Sequence, residues 1–261
     1  MTTHARLRIS LACLCGLALV ASLLVGCNAA AQRDSDKPQT PQVFKTRGDP
    51  AVTLRFQLFL PRGYGSEPAR RWPLILFLHG AGERGDDIEL VKVHGPPRVA
   101  EQAADFPFMV VSPQCPLGET WNNDLLQELL DHVLATWEID EQRVYLTGLS
   151  MGGYGAWSLA QECPERFAAV VPICGGGTPI QAWLYGDSPK GKALRSLPFW
   201  AFHGASDTVV DPGESLRMVE TLRDIGCDVK YTVYPGVGHD SWVKAYDDPE
   251  LYAWLLSHKR T

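Results

Sequence analysis

The stretch YLTGLSMGGYGAW, residues Tyr145 to Trp157, holds more glycine than a strand or a helix usually carries. An apolar run typical of a buried strand precedes it, and a helical pattern follows it. Ser150 lies between the two in the spacing Gly148-x-Ser150-x-Gly152. A serine on so sharp a turn is exposed above the sheet, and glycines on either side prevent collisions between strand and helix. We therefore predict that Ser150 is a nucleophile, the alternative being an ordinary glycine-rich turn.

A serine hydroxyl is a weak nucleophile at neutral pH and needs a general base, which an acid orients. For a serine in this setting the expected chain order is serine, then acid, then histidine. His239 follows a strand-like run and a glycine-bearing loop near the end of the chain, and we predict that it is the base. Asp207 follows the strand-like run FWAFHG and is the predicted acid, whereas Asp211 is a candidate helix N-cap. His203, within that run, is expected to be structural.

A nucleophilic serine also requires an oxyanion hole. One predicted donor is the backbone N–H of Met151, and the other is that of Ala81 in the loop LFLHGAGERGDD. His79 is expected to brace this loop. Two alternatives stay open for the charged residues of the loop: an ion-pair network or simple solvation. These residues are Glu83, Arg84 and Asp86.

Near-continuous apolar runs alternate with amphipathic segments along the chain. The runs suit parallel strands buried on both faces, and they read WPLILFLHG, FPFMVVSP, RVYLTGLS, FAAVVPIC and PFWAFHG. Among the amphipathic segments, NNDLLQELLDHVLATWEI has Asn122 or Asn123 as its candidate N-cap. The alternation predicts an α/β fold with a mostly parallel central sheet and helices on both faces. In such sheets active residues lie at the carboxyl ends of the strands.

The motifs together resemble the α/β-hydrolase superfamily, in particular the predicted peptidases and prolyl-oligopeptidase-like esterases. Feruloyl esterases and polyhydroxybutyrate depolymerases are relatives of that family. The motifs that carry the resemblance are FLHGAGERGDD, SPQCP, YLTGLSMGGYGAW, VPICGGG, FHGASDTVV and YPGVGHDSW. The resemblance implies hydrolysis of carboxylic esters through an acyl-enzyme on Ser150, with neither a metal nor an organic cofactor. A serine exo- or oligopeptidase with the same triad is the alternative, and a non-catalytic binding protein of the same fold is a third reading.

A large lid covers the site in many hydrolases of this fold. Here the corresponding span is only residues 177–198, too short for a helical cap domain. We therefore expect a minimal cap and an open cleft that admits bulky, carbohydrate-linked or polymer-linked esters. Aromatic side chains near a cleft can stack on sugar or aryl rings, and four are candidate substrate contacts: Trp183, Tyr185, Trp121 and Trp242. Simple packing of Trp183 onto the domain is the alternative.

The chain begins with a short segment bearing Arg6 and Arg8, followed by the apolar residues 9–25. This pattern indicates a signal peptide; the alternative, a retained transmembrane anchor, would be slightly short. LVGC, ending at Cys27, resembles the lipobox of bacterial lipoproteins, in which the signal is cleaved before a cysteine that then carries lipid. We predict a signal peptide over residues 1–26 and lipidation of Cys27.

A polar, proline-bearing stretch follows, and we predict a flexible tether over residues 27–50 and a catalytic domain over residues 51–261. The protein is then expected to be exported and lipid-anchored to a bacterial membrane, on its periplasmic or cell-surface side. Its formal net charge is −6 and no basic run stands out, which argues against nucleic-acid binding. The sequence leaves the oligomeric state open.

Four cysteines lie within the predicted domain. They permit three disulfide pairings, among which the sequence does not choose, and buried free thiols are equally compatible with a domain of this size. Their spacing is not that of a zinc site, so no metal is expected. The four are Cys115, Cys163, Cys174 and Cys227.

Overall fold

The computed structural model describes residues 39–48, 50–67, 69–103 and 105–260. The predicted signal peptide and Cys27 lie outside this part of the chain. The described strands are β1 (Gln39–Lys45), β2 (Thr53–Phe59), β3 (Trp72–Leu78), β4 (Met109–Pro113), β5 (Ile139–Leu149), β6 (Ala169–Ile173), β7 (Phe199–Gly204) and β8 (Val229–Tyr234). The described α-helices are α1 (Gly95–Gln102), α2 (Asn123–Thr136), α3 (Met151–Glu162), α4 (Pro179–Tyr185), α5 (Pro189–Ser196), α6 (Pro212–Asp224), α7 (Trp242–Asp247) and α8 (Pro249–Ser257).

The strands form one eight-stranded sheet in the order β1-β2-β4-β3-β5-β6-β7-β8. Strand β2 runs antiparallel to both β1 and β4, and every other pair is parallel. The carboxyl ends of β5, β7 and β8 therefore meet at one edge of the sheet. This is the edge at which an active site is expected in a parallel α/β sheet.

Both faces of the sheet are covered by helices. Alternate residues of a strand point to opposite faces. On one face of β3, Phe77 belongs to a hydrophobic cluster with Tyr246 of α7 and Leu251 of α8. On the other face, Leu78 lies against Gly155 of α3. All residues of β3 are buried, which explains its continuous apolar run. The predicted fold class, a mostly parallel sheet with helices on both faces, is confirmed.

The ordered domain begins earlier than the sequence predicts, because residues 39–45 are strand β1 rather than part of a flexible tether. Phe44 is buried, and the side-chain amide of Gln39 donates a hydrogen bond to the carbonyl of Pro97 at 2.9 Å. The sequence did not indicate this strand, because one of its buried positions is a glutamine and because the strand contains Pro41. A proline is tolerated here since β1 lies at the edge of the sheet.

Side chains cap two of the helices as their sequences indicate. The side chain of Asn122 accepts a hydrogen bond from the N–H of Leu125 at 3.0 Å, so Asn122 rather than Asn123 is the N-cap of α2. Asp211 likewise accepts from the N–H of Gly213 at 2.7 Å and caps α6. Capping satisfies N–H groups that have no partner within the helix.

The four cysteines of the domain are free and buried: Cys115, Cys163, Cys174 and Cys227. Burial raises the pKa of each thiol, to about 12 for Cys163, Cys174 and Cys227. The thiols therefore stay protonated at neutral pH. Within the described residues, no helix is both long enough and apolar enough to span a bilayer.

Candidate active site

Ser150 occupies a sharp turn between the end of β5 and the start of α3. Its φ is 52° and its ψ is −117°, a backbone conformation that side-chain-bearing residues rarely adopt. Two backbone hydrogen bonds hold the turn: Ser150 N–H donates to the carbonyl of Ile173, and Tyr154 N–H donates to the carbonyl of Ser150, both at 3.0 Å. The turn is thus fixed from β6 on one side and from α3 on the other.

The neighbouring glycines are required by close backbone approaches. A Cβ on Gly148 would collide with the carbonyl of Gly152, and a Cβ on Gly153 would collide with the carbonyl oxygen of Ile173. Neither glycine has a positive φ, so the requirement is space rather than backbone freedom. The glycine density that marks this stretch therefore reflects how tightly α3 packs against the sheet.

Three side chains form a hydrogen-bonded series at the carboxyl edge of the sheet. The hydroxyl Oγ of Ser150 lies 2.9 Å from Nε2 of His239, and Nδ1 of His239 lies 2.7 Å from Oδ2 of Asp207. The Nδ1–H donates to the carboxylate, which leaves Nε2 as the acceptor for the serine hydroxyl. The Asp207 side chain is fully buried, whereas that of His239 is 19% exposed. The three residues predicted as nucleophile, base and acid are thus brought together.

The carboxyl group of Asp207 is kept ionised by its hydrogen bonds. Burial alone raises its pKa, but a hydrogen bond from His239 and backbone N–H donors from Val210 and Val209 outweigh burial, so that the net pKa is lowered. The two backbone donors lie 2.9 and 3.0 Å from Oδ1. The other oxygen, Oδ2, remains to accept from the imidazole. A fixed negative charge therefore faces Nδ1 of His239.

His203 supports the same carboxylate, which the sequence did not reveal. Its Nε2 lies 3.1 Å from both Oδ2 of Asp207 and the carbonyl oxygen of Val210. Because both neighbours are acceptors, Nε2 must carry a proton and donate. Its Nδ1 lies 2.7 Å from the hydroxyl of Ser215. His203 therefore has the structural role that was predicted for it, because it holds the acid of the triad in place. The four-residue spacing from His203 to Asp207 in HGASD was the one sign of this contact in the sequence.

The predicted oxyanion loop passes directly beside the serine. A Cβ on Gly80 would lie 3.6 Å from Cβ of Ser150. Ala81 is the first residue of a 3-10 turn, Ala81–Glu83, and Met151 is the first residue of α3. The first N–H groups of a helical turn have no partner within that turn, which is what a donor to a substrate oxygen requires. The two predicted donors thus each begin a helical turn, one in the loop beside Ser150 and one directly after it.

The charged residues of this loop bind the backbone rather than one another. The carboxylate of Glu83 accepts from the N–H of Gly80 at 2.9 Å. Arg84 donates from Nε to the carbonyl of Ala81 at 3.0 Å and from Nη1 to that of Glu119 at 3.1 Å. The described residues show no ion pair among Glu83, Arg84 and Asp86, so neither a network nor simple solvation describes the loop. Two of the three instead fix its backbone.

His79 braces the loop as predicted. Its Nε2 accepts the N–H of Cys115 at 3.0 Å, and its Nδ1–H donates to the carbonyl of Gly80 at 2.6 Å. These partners require the neutral ring. Burial lowers the pKa of His79 to about 4, which agrees with that requirement. A second proton would place two donors, Nε2–H and the Cys115 N–H, against each other.

We predict that His79 makes the fold sensitive to mild acid. The unfolded chain takes up a proton near pH 6.5 but the folded one only near pH 4, so stability present above pH 6.5 is lost as pH falls through this window. The full loss is about 3 kcal/mol. Urea unfolding of wild type and His79→Gln at pH 7, 5.5 and 4.5 measures it. The difference in the free energy of unfolding between the two proteins should shrink toward acid pH. A difference that does not depend on pH would contradict the prediction.

Two of the four aromatic candidates lie at the site. The ring of Trp242 meets that of His239 edge to face, at 5.2 Å between centroids. The ring of Trp121 meets that of His79 at 4.8 Å, and its Nε1–H donates to the carbonyl of His79 at 3.2 Å. One indole therefore flanks the base, and the other flanks the oxyanion loop.

Trp183 and Tyr185 lie on α4, and their role as substrate contacts stays a prediction. The span 177–198 folds into α4 and α5, and α4 packs against α5 and α6. Tyr185 stacks on the ammonium of Lys190, and its pKa is raised by burial and by the charge of Glu162, the last residue of α3. Trp183 is 51% exposed on the same helix. Ser150 caps the opposite end of α3, about 18 Å from Glu162, so Tyr185 lies nearer the far end of α3 than the serine.

The side chain of Cys174 lies close to those of Asp207 and His239. The thiol sulfur of Cys174, a carboxylate oxygen of Asp207 and a ring nitrogen of His239 lie within 4.8 Å of one another. Among the described residues, this is the one group of three side chains that could hold a metal ion. The thiol is fully buried and protonated, and the other two groups hydrogen bond each other. In this state the atoms are arranged for proton transfer between Ser150 and His239.

A mostly parallel sheet with a serine on a strained turn after β5, and with an acid and a histidine after β7 and β8, defines the α/β-hydrolase fold. The family described as "Putative esterase" matches residues 51–228. The chain belongs to this family.

Proteins that are similar to this chain include esterases, a depolymerase and an acylamino-acid-releasing enzyme. The chain is 29% identical over 160 residues, 58% of its length and 22% of the relative's, to the bifunctional acetylxylan esterase/xylanase XynS20E of Neocallimastix patriciarum. It is 24% identical to a poly(3-hydroxyoctanoate) depolymerase of Pseudomonas fluorescens, over 94% of this chain and 98% of that one. The crystal structure of a thermostable esterase superposes with a TM-score of 0.72 at 32% identity, covering 85% of this chain and 64% of that one. The chain thus spans less than two thirds of two of these proteins.

Proposed function

We propose that the protein is a serine hydrolase that cleaves carboxylic esters through an acyl-enzyme on Ser150. The observation that carries the proposal is the series from Ser150 Oγ to His239 Nε2 and from His239 Nδ1 to Asp207 Oδ2, at 2.9 and 2.7 Å. Membership of the esterase family supports an ester as the substrate.

In the first half of the reaction, Nε2 of His239 takes the hydroxyl proton as Oγ of Ser150 attacks the ester carbonyl. The carbonyl oxygen becomes an oxyanion, which the N–H groups of Ala81 and Met151 stabilise. The ionised Asp207 stabilises the imidazolium. When the tetrahedral intermediate collapses, the bond to the alcohol oxygen breaks and the imidazolium returns its proton to that oxygen. The alcohol leaves, and the acyl group stays on Ser150.

In the second half, water replaces the alcohol. His239 removes a proton from water as it attacks the acyl-enzyme, and the oxyanion forms in the same place. Collapse breaks the bond to Oγ, and the proton on Nε2 passes to Oγ. The carboxylic acid is released and the enzyme returns to its starting state without any other reactant.

Bulky, carbohydrate-linked or polymer-linked esters are the substrates that best suit this protein. The segment that often forms a lid is here α4 and α5, and α4 packs against both α5 and α6. The similar proteins include an acetylxylan esterase/xylanase and a poly(3-hydroxyoctanoate) depolymerase, whose names refer to polymers. An open cleft accommodates a group attached to a chain too large to be enclosed.

Parallel assays on p-nitrophenyl esters and aminoacyl p-nitroanilides test the proposal. We expect hydrolysis of the esters, weak or no hydrolysis of the anilides, and covalent labelling of Ser150 by a fluorophosphonate probe. Anilides cleaved faster than esters would instead make the protein a peptidase with the same triad. A protein that neither hydrolyses nor takes up the probe would be a binding protein.

We further propose that the chain is exported, loses residues 1–26 and is lipidated at Cys27. The apolar segment 9–25 and the sequence LVGC support this assignment. Cys27→Ser should abolish incorporation of a radiolabelled fatty acid in a bacterial host and leave the precursor uncleaved. The matched control is Cys15→Ser, within the signal, which should retain labelling. Persistent labelling of Cys27→Ser would place the anchor elsewhere.

A further inference from the structure

The carboxylate of Asp207 lies between two histidine rings and is closed off from water. The side chains of Asp207 and His203 are both fully buried, whereas that of His239 is partly exposed. Within the described part of the chain, no lysine or arginine pairs with this carboxylate, and the two histidines are its partners. A buried charge without a counter-charge is costly. The protonation state of His203 therefore decides whether the acid of the triad is neutralised.

A row of close contacts leads from His203 away from the triad. The hydroxyl of Ser215 on α6 lies 2.7 Å from the carbonyl oxygen of Gly175 and 2.7 Å from Nδ1 of His203. A hydroxyl has one proton to donate, and a carbonyl oxygen can only accept. The proton of Ser215 is therefore used on Gly175, and the hydroxyl oxygen accepts a proton from Nδ1 of His203. If the hydroxyl donated to Nδ1 instead, two oxygens would meet at 2.7 Å with no proton between them.

The other ring nitrogen of His203 also carries a proton. Its Nε2 lies 3.1 Å from both Oδ2 of Asp207 and the carbonyl oxygen of Val210. A proton on Asp207 would satisfy the first of these contacts, but the carbonyl of Val210 would then face a bare lone pair on Nε2. Burial raises the pKa of Asp207, but hydrogen bonds to the carboxylate lower it by more, which agrees with a carboxylate that has no proton.

We propose that His203 is a buried imidazolium that forms an ion pair with Asp207 and acts as a positioning residue for the triad. One of its ring protons is held by Ser215, and the other is shared by Asp207 and Val210. The inference rests on the proposed esterase function and adds to it a charge that the three triad residues do not reveal.

The charge of His203 acts on His239 through the oxygen that the two rings share. Oδ2 of Asp207 lies 3.1 Å from Nε2 of His203 and 2.7 Å from Nδ1 of His239, so the two nitrogens are less than about 6 Å apart. Like charges at this separation repel each other, so a second proton on His239 is opposed by His203. Because His239 acts as a base only without that proton, we expect activity to persist to lower pH than it would beside a neutral residue 203.

The other titratable groups around this pair come from α3, from α6 and from the loops after β6, β7 and β8. They are Tyr154, Glu214, Arg217, Cys174, Asp211 and Asp240. Burial raises the pKa of the Tyr154 phenol and that of the Cys174 thiol, so both are neutral at pH 7 and below. All six stay in place when His203 or Ser215 is replaced, so a change between variants reports the charge on His203.

Nitrogen-15 NMR of the histidine-labelled protein at pH 7 tests the charge directly and does not depend on activity. We expect two protonated ring nitrogens for His203, assigned through its own backbone signals, and one for His239. A single protonated ring nitrogen on His203 would overturn the proposal.

His203→Gln and Ser215→Ala test the consequence for catalysis. Glutamine is neutral but can still donate to Asp207, and alanine removes the acceptor of the second ring proton. Both should raise the pH at which kcat/KM for p-nitrophenyl acetate is half-maximal by about one unit or more. The double variant should shift it no further than either change alone. His258→Gln, at a half-buried histidine just after α8, is the matched control and should leave the profile unchanged.

A half-maximal pH that both variants leave unchanged would overturn the effect of His203 on the base. A shift in His203→Gln without one in Ser215→Ala would mean that Ser215 donates to Nδ1 and that the ring is neutral. If His203→Gln does not fold, Ser215→Ala and the NMR spectrum of the wild type decide the matter. A wild type that hydrolyses no ester would defeat the proposed function, whereas the charge on His203 would still be decided by the spectrum.

Discussion

Replacement of Ser150 by alanine should lower kcat for ester hydrolysis by roughly four to six powers of ten, because the reaction loses its nucleophile. The free energy of unfolding should stay nearly unchanged. Alanine and serine meet the same backbone restriction at a φ of 52°, and the hydrogen bonds that hold the turn are made by the backbone. Initial rates on p-nitrophenyl acetate and urea unfolding measure the two quantities.

The matched control for this variant is Ser196→Ala. Ser196 is an exposed serine at the end of α5, and its hydroxyl donates to the carbonyl of Lys192. It should keep full activity. Adding His239→Ala to the Ser150→Ala variant should lower kcat little further, because the residues of a triad act as a unit. Activity of Ser150→Ala within tenfold of wild type would disprove the role of the serine.

The second large effect concerns stability, and we expect Gly152→Ala to prevent stable folding or to cost more than about 3 kcal/mol. A Cβ at Gly152 would collide with the carbonyl oxygen of Leu78 and approach that of His79 at 2.7 Å. These are backbone atoms of β3 and of the loop after it, so no side chain can move aside. Helix α3 would have to retreat from the sheet, which would also displace Ser150.

Gly82→Ala is the control for this substitution. Gly82 also belongs to the site region, in the oxyanion loop, but a Cβ there meets nothing within 4 Å. Its φ is not positive, so alanine fits the backbone. Soluble yield and the midpoint of urea unfolding distinguish the two variants. Equal midpoints for Gly152→Ala and wild type would mean that the packing of α3 on β3 does not depend on this glycine.

The triad was predictable because its signals are local. Ser150 lies in a spacing whose glycines follow from backbone packing, and Asp207 and His239 each follow a strand-like run in the chain order the fold requires. The interior strands were predictable for the same reason, since burial on both faces leaves a continuous apolar run. Each of these features can be recognised within about a dozen residues of sequence.

What was not predictable depends on tertiary contacts. Strand β1 was missed because its pairing with β2, rather than its own polarity, makes it a strand. The contact from His203 to Asp207 depends on a turn whose geometry the sequence does not specify. Likewise, the sequence predicted either an ion pair or simple solvation for Glu83, although its carboxylate binds the N–H of Gly80.

The wide separation of the triad along the chain has a consequence for folding. Ser150 and His239 are 89 residues apart, and Asp207 and His239 are 32 apart. The base follows β8, the edge strand that is also the last strand of the sheet in chain order. Contacts of such high sequence separation carry a large entropic cost before they form. A nascent chain that has already formed the turn at Ser150 is therefore inactive until β8 joins the sheet. The onset of turnover then reports when the sheet is complete.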